Sequence, residues 1–371
     1  MKIVVVANSL IFHQSYFWDE INKKENIELF YLSTYPLSEE RAKMKYVDEK
    51  RDYLINSYEI SEEEISKIFD GVDFVFLGNN YDKRVSKYIR NAPRLIVMAE
   101  HLSRRSSKLL NRLSLIKNIA LSNTYKCKGE RYLLAMSSYT FDDFKDFGFK
   151  NTSYRFGYFP SLDEIKDYPL ENKDPYLIVW HGRFLELKHV EYAVETLRIL
   201  KQLDSRYRLE LIGEGEYLEK IKELVKSYNL EDSVTFMPFL AHDEIMKKLA
   251  SASIYVFGSD KREGWGVALN EALASGSIVF VNETAGSARF LMENEKNGYL
   301  FSFLEELEKS IIDFSKKDEK EVLTMRNNAK DTIFNMWNHI NASNRLYEML
   351  ISIYNHKDFA KFDSGPISKI K

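Results

Sequence analysis

EGWGVALNEALASGSIVFVN, residues 263–282, is the stretch on which the fold turns. Glu263, Gly264 and Gly266 end a loop, and Val267, Leu269, Ala272 and Leu273 then recur on one side of a helix. Gly276 stops that helix before a β-branched strand. Polar groups therefore gather at the helix start. The glycines let the backbone come close to a ligand there, the free N–H groups of the first turn can receive a phosphate, and the helix dipole favours negative charge. Glu263 and Glu271 are separated by eight positions, so their carboxylates can address opposite ends of one elongated ligand. Taken alone, the same pair also describes a loop charge and a solvated helix face. The surrounding chain has to separate these readings.

Working outward, the second half is a regular alternation. YLIVWHG, YRLELIG, SVTFMPF and ASIYVFGS read as strands; VEYAVETLRILKQL, EYLEKIKELVKSYNL and HDEIMKKLAS read as helices between them. Helices of this length can cover both faces of a parallel sheet, so this half is expected to be doubly wound. SLDEIKDYPLENKDP, broken by Pro169 and Pro175, is the best linker in the chain. It divides a first domain, 1–168, from a second, 169–338, with a helical segment, 339–371, too apolar to hang free. In the first half KIVVVAN, IELFYLS, DFVFL and RLIVMAEH are strand candidates, and the last delivers Glu100 and His101 at its carboxyl end, where ligands of open α/β sheets sit.

The whole-chain composition narrows the class. At 371 residues the chain suits two domains, and 44% hydrophobic with 29% charged residues is the mixture of a globular protein. A formal charge of −3 gives no reason to expect nucleic-acid binding. The single Cys127 excludes an internal disulfide and a cysteine metal cluster. No basic leader precedes an apolar run and no stretch of 18 apolar residues occurs, so neither a signal peptide nor a spanning helix is expected. Against this acidic background the run from His101 to Lys128 carries Arg104, Arg105, Lys108, Arg112, Lys117, Lys126 and Lys128 without one acidic residue, threaded with leucines. It reads either as a basic amphipathic surface for an anionic membrane or as a solvated helix whose leucines face the core.

One further stretch carries phosphate chemistry, and a second shapes a turn. In HGRFLELKH, residues 181–189, Gly182 permits a tight turn directly after a strand, Arg183 can contact phosphate through two donors, and Lys188 adds a mobile point charge. LELIGEG, residues 209–215, ends a strand in Gly213 and Gly215, read as a tight strand-to-helix turn. No G-x-G-x-x-G fingerprint and no G-x-x-x-x-G-K-[ST] occurs, which argues against a dinucleotide oxidoreductase and a P-loop enzyme. No Asp-x-Asp motif and no histidine cluster is present, so no metal cofactor is expected.

E-G-W-G-V-A-L-N-E-A-L-A-S-G together with Gly-Arg-x4-Lys resembles the signature of retaining GT-B glycosyltransferases of the GT4-like, glycosyl transferases group 1 family. The resemblance covers Gly182 to Phe301 in order and weakens over the first 160 residues. It implies an α/β fold of two Rossmann-like domains facing a central cleft, with a C-terminal helix crossing back to the first. It assigns Glu263 to the sugar hydroxyls, Glu271 to the ribose, and the main chain from Trp265 through Gly266, Val267 and Ala268 to Leu269 to the donor. Gly182, Arg183 and Lys188 fall on the pyrophosphate site, and Phe236, Met237 and Pro238 on the main chain that reads the base. His101 falls near the sugar and the reacting centre; Asn8 and His13 fall on the acceptor side, where the family's first-loop glycine pair is missing.

The implied reaction moves a hexosyl unit from a nucleotide diphosphate sugar, with UDP favoured, to a saccharide or lipid-linked saccharide acceptor. The aromatic first half looks like that of bacterial enzymes of surface (capsular) polysaccharide synthesis. The same resemblance implies retention by same-face attack, with Glu263 holding the sugar. Spacing alone is equally compatible with a carboxylate nucleophile. The expected location is the cytoplasm, peripherally at the inner face of the membrane. Two other classes remain open: a non-hydrolysing nucleotide-sugar epimerase, and a catalytically idle scaffold that keeps the fold.

Overall fold

The computed structural model describes residues 1–37, 50–102 and 125–370. The chain divides into two compact units, residues 1–161 with 339–371 and residues 162–338.

Among the described residues the first unit is built on a seven-stranded sheet. Its strands are β1 (Lys2–Ala7), β2 (Glu28–Ser33), β3 (Leu54–Asn56), β4 (Phe74–Leu77), β5 (Arg94–Ala99), β6 (Glu130–Ala135) and β7 (Ser153–Arg155). They lie in the order β3-β2-β1-β4-β5-β6-β7, and every pairing is parallel. Val4, Val6, Val75, Leu95, Val97 and Leu133 are wholly buried, as the central strands of a sheet covered on both faces require. The short β3 has no counterpart among the strands expected from sequence, because three residues are too few to show a period.

The second unit carries a six-stranded sheet in the order β10-β9-β8-β11-β12-β13, again all parallel. Its strands are β8 (Asp174–His181), β9 (Arg208–Ile212), β10 (Val234–Met237), β11 (Ala252–Phe257), β12 (Ile278–Asn282) and β13 (Tyr299–Phe301). Counted within the unit this is the 3-2-1-4-5-6 order of a Rossmann domain. The helix Glu191–Leu203 buries Ala193, Val194, Leu197 and Leu200 against this sheet's core, leaving Gln202 and Leu203 toward solvent.

The expected return of the C-terminal helix is realised. The helix Glu319–Asp331 gives way to a π-helical turn at Thr332–Met336, and the next helix, His339–Tyr354, belongs to the first unit. There it packs on the helix Phe12–Asn22, where the Tyr16 and His339 rings lie 5.8 Å apart, and Tyr347 Oη donates to the Glu25 carbonyl at 3.0 Å. The residues beyond it pair with β7: Arg155 N donates to Ser368 O at 2.9 Å and Ile370 N to Ser153 O at 2.9 Å. These bonds satisfy an edge strand that would otherwise be open to pairing with another chain.

Residues 103–124, which include Arg104, Arg105, Lys108 and Arg112, lie outside the described residues, and with them most of the basic run from His101 to Lys128. Among the described residues no helix is long and apolar enough to cross a membrane.

Candidate active site

In the second unit β8 and β11 are neighbours, and from them the chain winds in opposite directions, to β9 and β10 on one side and to β12 and β13 on the other. This is a topological switch point, the place where the carboxyl ends of adjacent strands leave a crevice for a ligand. The loop after β8 carries Gly182, Arg183 and Lys188; the loop after β11 carries Glu263 and leads into the helix Ala268–Ala274, which carries Glu271. Strand order thus brings together the groups that the sequence places some eighty residues apart.

The loop after β8 is shaped by close backbone approach. Gly182 has φ +147°, its N–H donates to the Ile212 carbonyl at 3.0 Å, and Phe184 N donates to Glu214 O at 2.8 Å. A Cβ on Gly213 would stand 1.9 Å from the Gly182 carbonyl oxygen, and one on Gly215 would stand 2.4 Å from that of Phe184. The two glycines of LELIGEG therefore serve contact between two loops rather than only a strand-to-helix turn.

Lys188 Nζ is ion-paired with Glu263 Oε2, both side chains less than one-fifth exposed. Arg183 is half-buried in the same loop. Glu271 is 5% exposed and bonded on both oxygens: His181 Nε2 lies 2.8 Å from Oε2 and His242 Nε2 lies 3.2 Å from Oε1. Burial alone would raise this carboxyl's pKa, but the bonds from His181 and His242 and their charge hold it well below the usual carboxylate range. Burial lowers the His242 pKa, but the bond to Glu271 and the charges of Glu271, Glu164 and Asp243 together leave it raised. Each carboxylate oxygen has lone-pair capacity left for a ligand hydroxyl. No sequence motif singles out either histidine; the one signal in the chain is that His181 ends β8 directly before Gly182.

The Trp265 side chain is directed into the core, 1% exposed, with Nε1 donating to Asn270 Oδ1 at 2.8 Å and its ring 5.7 Å from that of Trp337. The part that the resemblance assigns to Trp265 is its main chain, not this side chain. Gly266 has φ +82°, and a Cβ there would stand 2.3 Å from the Phe257 ring, so glycine is required. Val267 caps the short helix, in which Ala268 and Leu269 occupy the first turn. Phe236 and Met237 end the edge strand β10, followed by the exposed Pro238. The Met237 carbonyl accepts from Gly213 N at 2.9 Å, so a base reading its main chain would share that oxygen.

In the first unit His101 lies just past β5 and is 10% exposed, with Nδ1 2.6 Å from Asp143 Oδ2. The same carboxylate oxygen accepts from Leu102 N at 2.8 Å, an arrangement that fixes the imidazole orientation. Asp143 had no signal of its own in sequence. Asn8 follows β1, and its carbonyl accepts from Tyr31 Oη at 3.3 Å. His13 lies in the first turn of the helix Phe12–Asn22, its ring 5.8 Å from that of Tyr158. Among the described residues no group of three or more His, Cys, Asp or Glu side chains is placed to hold a metal ion.

The family model described as Glycosyl transferases group 1 matches residues 162–332, almost the whole second unit. The uncharacterized glycosyltransferase YqgM of Bacillus subtilis is 26% identical over 177 residues, 47% of this chain and 49% of its own length. The amylovoran biosynthesis glycosyltransferase AmsK of Erwinia amylovora is 33% identical over 131 residues, 34% of this chain and 32% of its own. The chain thus spans half or less of the length of these curated relatives. Among solved structures, HepE of Anabaena in complex with UDP superposes with a TM-score of 0.67 at 15% identity, covering 95% of this chain and 100% of that one. Two Rossmann-type parallel sheets, a terminal helix returned to the first unit and the superposition on HepE give the chain the GT-B fold, with residues 162–332 similar to the glycosyl transferases group 1 family.

Proposed function

We propose that the chain transfers a hexosyl unit, with retention, from a nucleotide diphosphate sugar to a saccharide or lipid-linked saccharide acceptor in surface polysaccharide synthesis. The carrying observation is the meeting of the Gly182–Lys188 and Glu263–Glu271 loops at the switch point between β8 and β11. UDP is the favoured nucleotide, supported by the fold likeness to HepE of Anabaena, whose structures hold UDP and UDP-glucose. The polysaccharide role is supported by relatives named for colanic acid and amylovoran biosynthesis.

In this reading Glu271, kept ionised and oriented by His181 and His242, accepts the ribose hydroxyls. Arg183 and Lys188 neutralise the diphosphate as the bond from its oxygen to the anomeric carbon breaks, a preorganised electrostatic contribution. Glu263 exchanges its bond with Lys188 for the sugar hydroxyls. The acceptor oxygen forms its bond to the anomeric carbon on the face the phosphate leaves, and its proton passes to the departing phosphate oxygen. His101, oriented by Asp143, is assigned to the reacting centre. The acid-free run His101–Lys128 supports a reversible contact with the anionic cytoplasmic face of a membrane.

A panel of nucleotide sugars, incubated with and without a bacterial lipid extract, tests the reading. Acceptor-dependent release of UDP is expected. Acceptor-free isomerisation of the sugar identifies an epimerase instead, and the absence of both nucleotide release and isomerisation identifies a catalytically idle scaffold.

A further inference from the structure

The loops that carry Lys188 and Glu263 are tied together by groups that the proposed chemistry leaves unused. His189, next to Lys188, has a left-handed backbone with φ +46°, a conformation that glycine and asparagine adopt more readily than histidine. Its ring is bonded on both sides: Nδ1 lies 2.8 Å from Glu191 Oε1 and Nε2 lies 3.1 Å from Asp260 Oδ2. Asp260 belongs to the loop after β11, and its N–H donates to the Leu187 carbonyl at 3.0 Å. Its own carbonyl accepts from Glu263 N at 2.9 Å. Arg262 closes the arrangement, donating through Nε to Asp260 Oδ2 at 2.9 Å and through Nη1 to Glu186 Oε2 at 2.9 Å. The backbones are equally close: a Cβ on Gly258 would stand 2.7 Å from the His189 carbonyl oxygen and 3.1 Å from that of Lys188.

We infer that His189 is a positioning residue: bonded to Glu191 at the start of one helix and to Asp260 of the opposing loop, its ring clamps Lys188 and Glu263 into register. An imidazole with a carboxylate on each nitrogen must donate on both sides, which only the protonated ring does. The Asp260 and Glu191 hydrogen bonds accordingly push its pKa up to about 9, against the opposing effect of burial. The charged and titratable groups around it are Glu191, Asp260, Arg262 behind Asp260, and Tyr192, whose ring lies 5.7 Å away. The left-handed backbone is tolerated because both ring bonds and the Gly258 contact hold it. The inference rests on the proposed donor site only for its consequence in turnover; the clamp itself is a property of the two loops.

The experiment compares His189→Gly, which accepts the backbone conformation without the ring, with His189→Asn, which also accepts it and keeps one amide donor. Lys188 acylation by an amine-selective reagent, followed by mass spectrometry at neutral pH, reads the clamp with no nucleotide present. Faster labelling in His189→Gly than in wild type is expected, with His189→Asn between them; equal rates in all three overturn the inference. In parallel, kcat and KM for UDP-glucose are measured from pH 7 to 10. The wild-type kcat/KM should fall as pH rises through about 9, while His189→Gly starts at least about 10-fold lower and lacks that limb. An unchanged kcat/KM and pH profile in a folded His189→Gly also overturns the clamp. Altered Lys188 labelling in a protein that neither binds UDP nor uses UDP-glucose would retain the clamp and remove the donor reading.

Discussion

The ammonium of Lys188 and the carboxylate of Glu263, 75 residues apart in sequence, form an ion pair in which both side chains are mostly buried. The group assigned to the diphosphate is thus held by the group assigned to the sugar. Each neutralises the other, and in the proposed reading a donor divides them, phosphate taking the lysine and sugar hydroxyls the glutamate. Isolated buried charges of either sign would be costly, so each side chain depends on the other for its place.

Replacing Glu263 by Gln should therefore separate binding from turnover. The neutral amide releases Lys188 for phosphate, so affinity for free UDP should be retained or increased. Turnover of the sugar nucleotide should fall on the order of 100-fold through lost orientation of the sugar. Calorimetry with UDP beside steady-state kinetics checks this; a large loss of UDP affinity would contradict the assignment.

Arg183→Ala removes a charge-assisted contact to phosphate and should weaken UDP binding by roughly 1.5 to 3 kcal/mol. The same calorimetric titration reads it directly. Unchanged affinity would place the diphosphate elsewhere.

Glu271→Gln is expected to weaken UDP and UDP-sugar alike, in contrast to Glu263→Gln, because the ribose is common to both ligands. His242→Phe should lower UDP affinity less, since His181 still holds one oxygen of the carboxylate. Equal UDP affinity in wild type and Glu271→Gln would remove the ribose assignment.

Stability should depend on pH through the histidine pairs. His189 is raised from 6.5 to about 9 and His242 is raised too, so their contributions are complete below pH 6.5 and are lost as pH rises through the folded values. Glu271 and Asp260 are depressed, so theirs are present above the ordinary carboxylate range and disappear only as pH falls through the lowered values. The Tm should consequently decline between pH 6.5 and about 9, and His189→Gln should flatten part of that decline. Parallel Tm profiles for the two proteins would show that the imidazolium contributes nothing to the fold.

Reversible membrane contact predicts that the protein co-sediments with anionic vesicles at low salt and is released at high salt, as the Debye length shrinks from about 8 Å toward about 3 Å at 1 M. Changing Arg104, Arg105, Lys108 and Arg112 to Glu should abolish sedimentation and spare UDP binding. Wild-type protein that stays in the supernatant at low salt would count against this contact.

Much of the architecture is local and was legible in the chain itself. Runs such as IVVVA and LIVW are strands because parallel strands are buried on both faces, and Gly276 ends its helix with φ +69° because a left-handed cap needs no Cβ. The Gly182–Lys188 and Glu263–Glu271 stretches were likewise visible, since each is a few residues at set spacing. Tertiary structure decided what these residues meet. Only strand order makes β8 and β11 neighbours, and only that adjacency pairs His181 with Glu271 across 90 residues and Lys188 with Glu263. It likewise turned Trp265 inward, set His242 on the far oxygen of Glu271, put Asp143 behind His101, and directed Gly213 and Gly215 to a neighbouring loop. Periodicity and turn chemistry act between residues close in sequence, whereas these pairings arise where register and sheet topology bring distant loops together, and no local pattern encodes them.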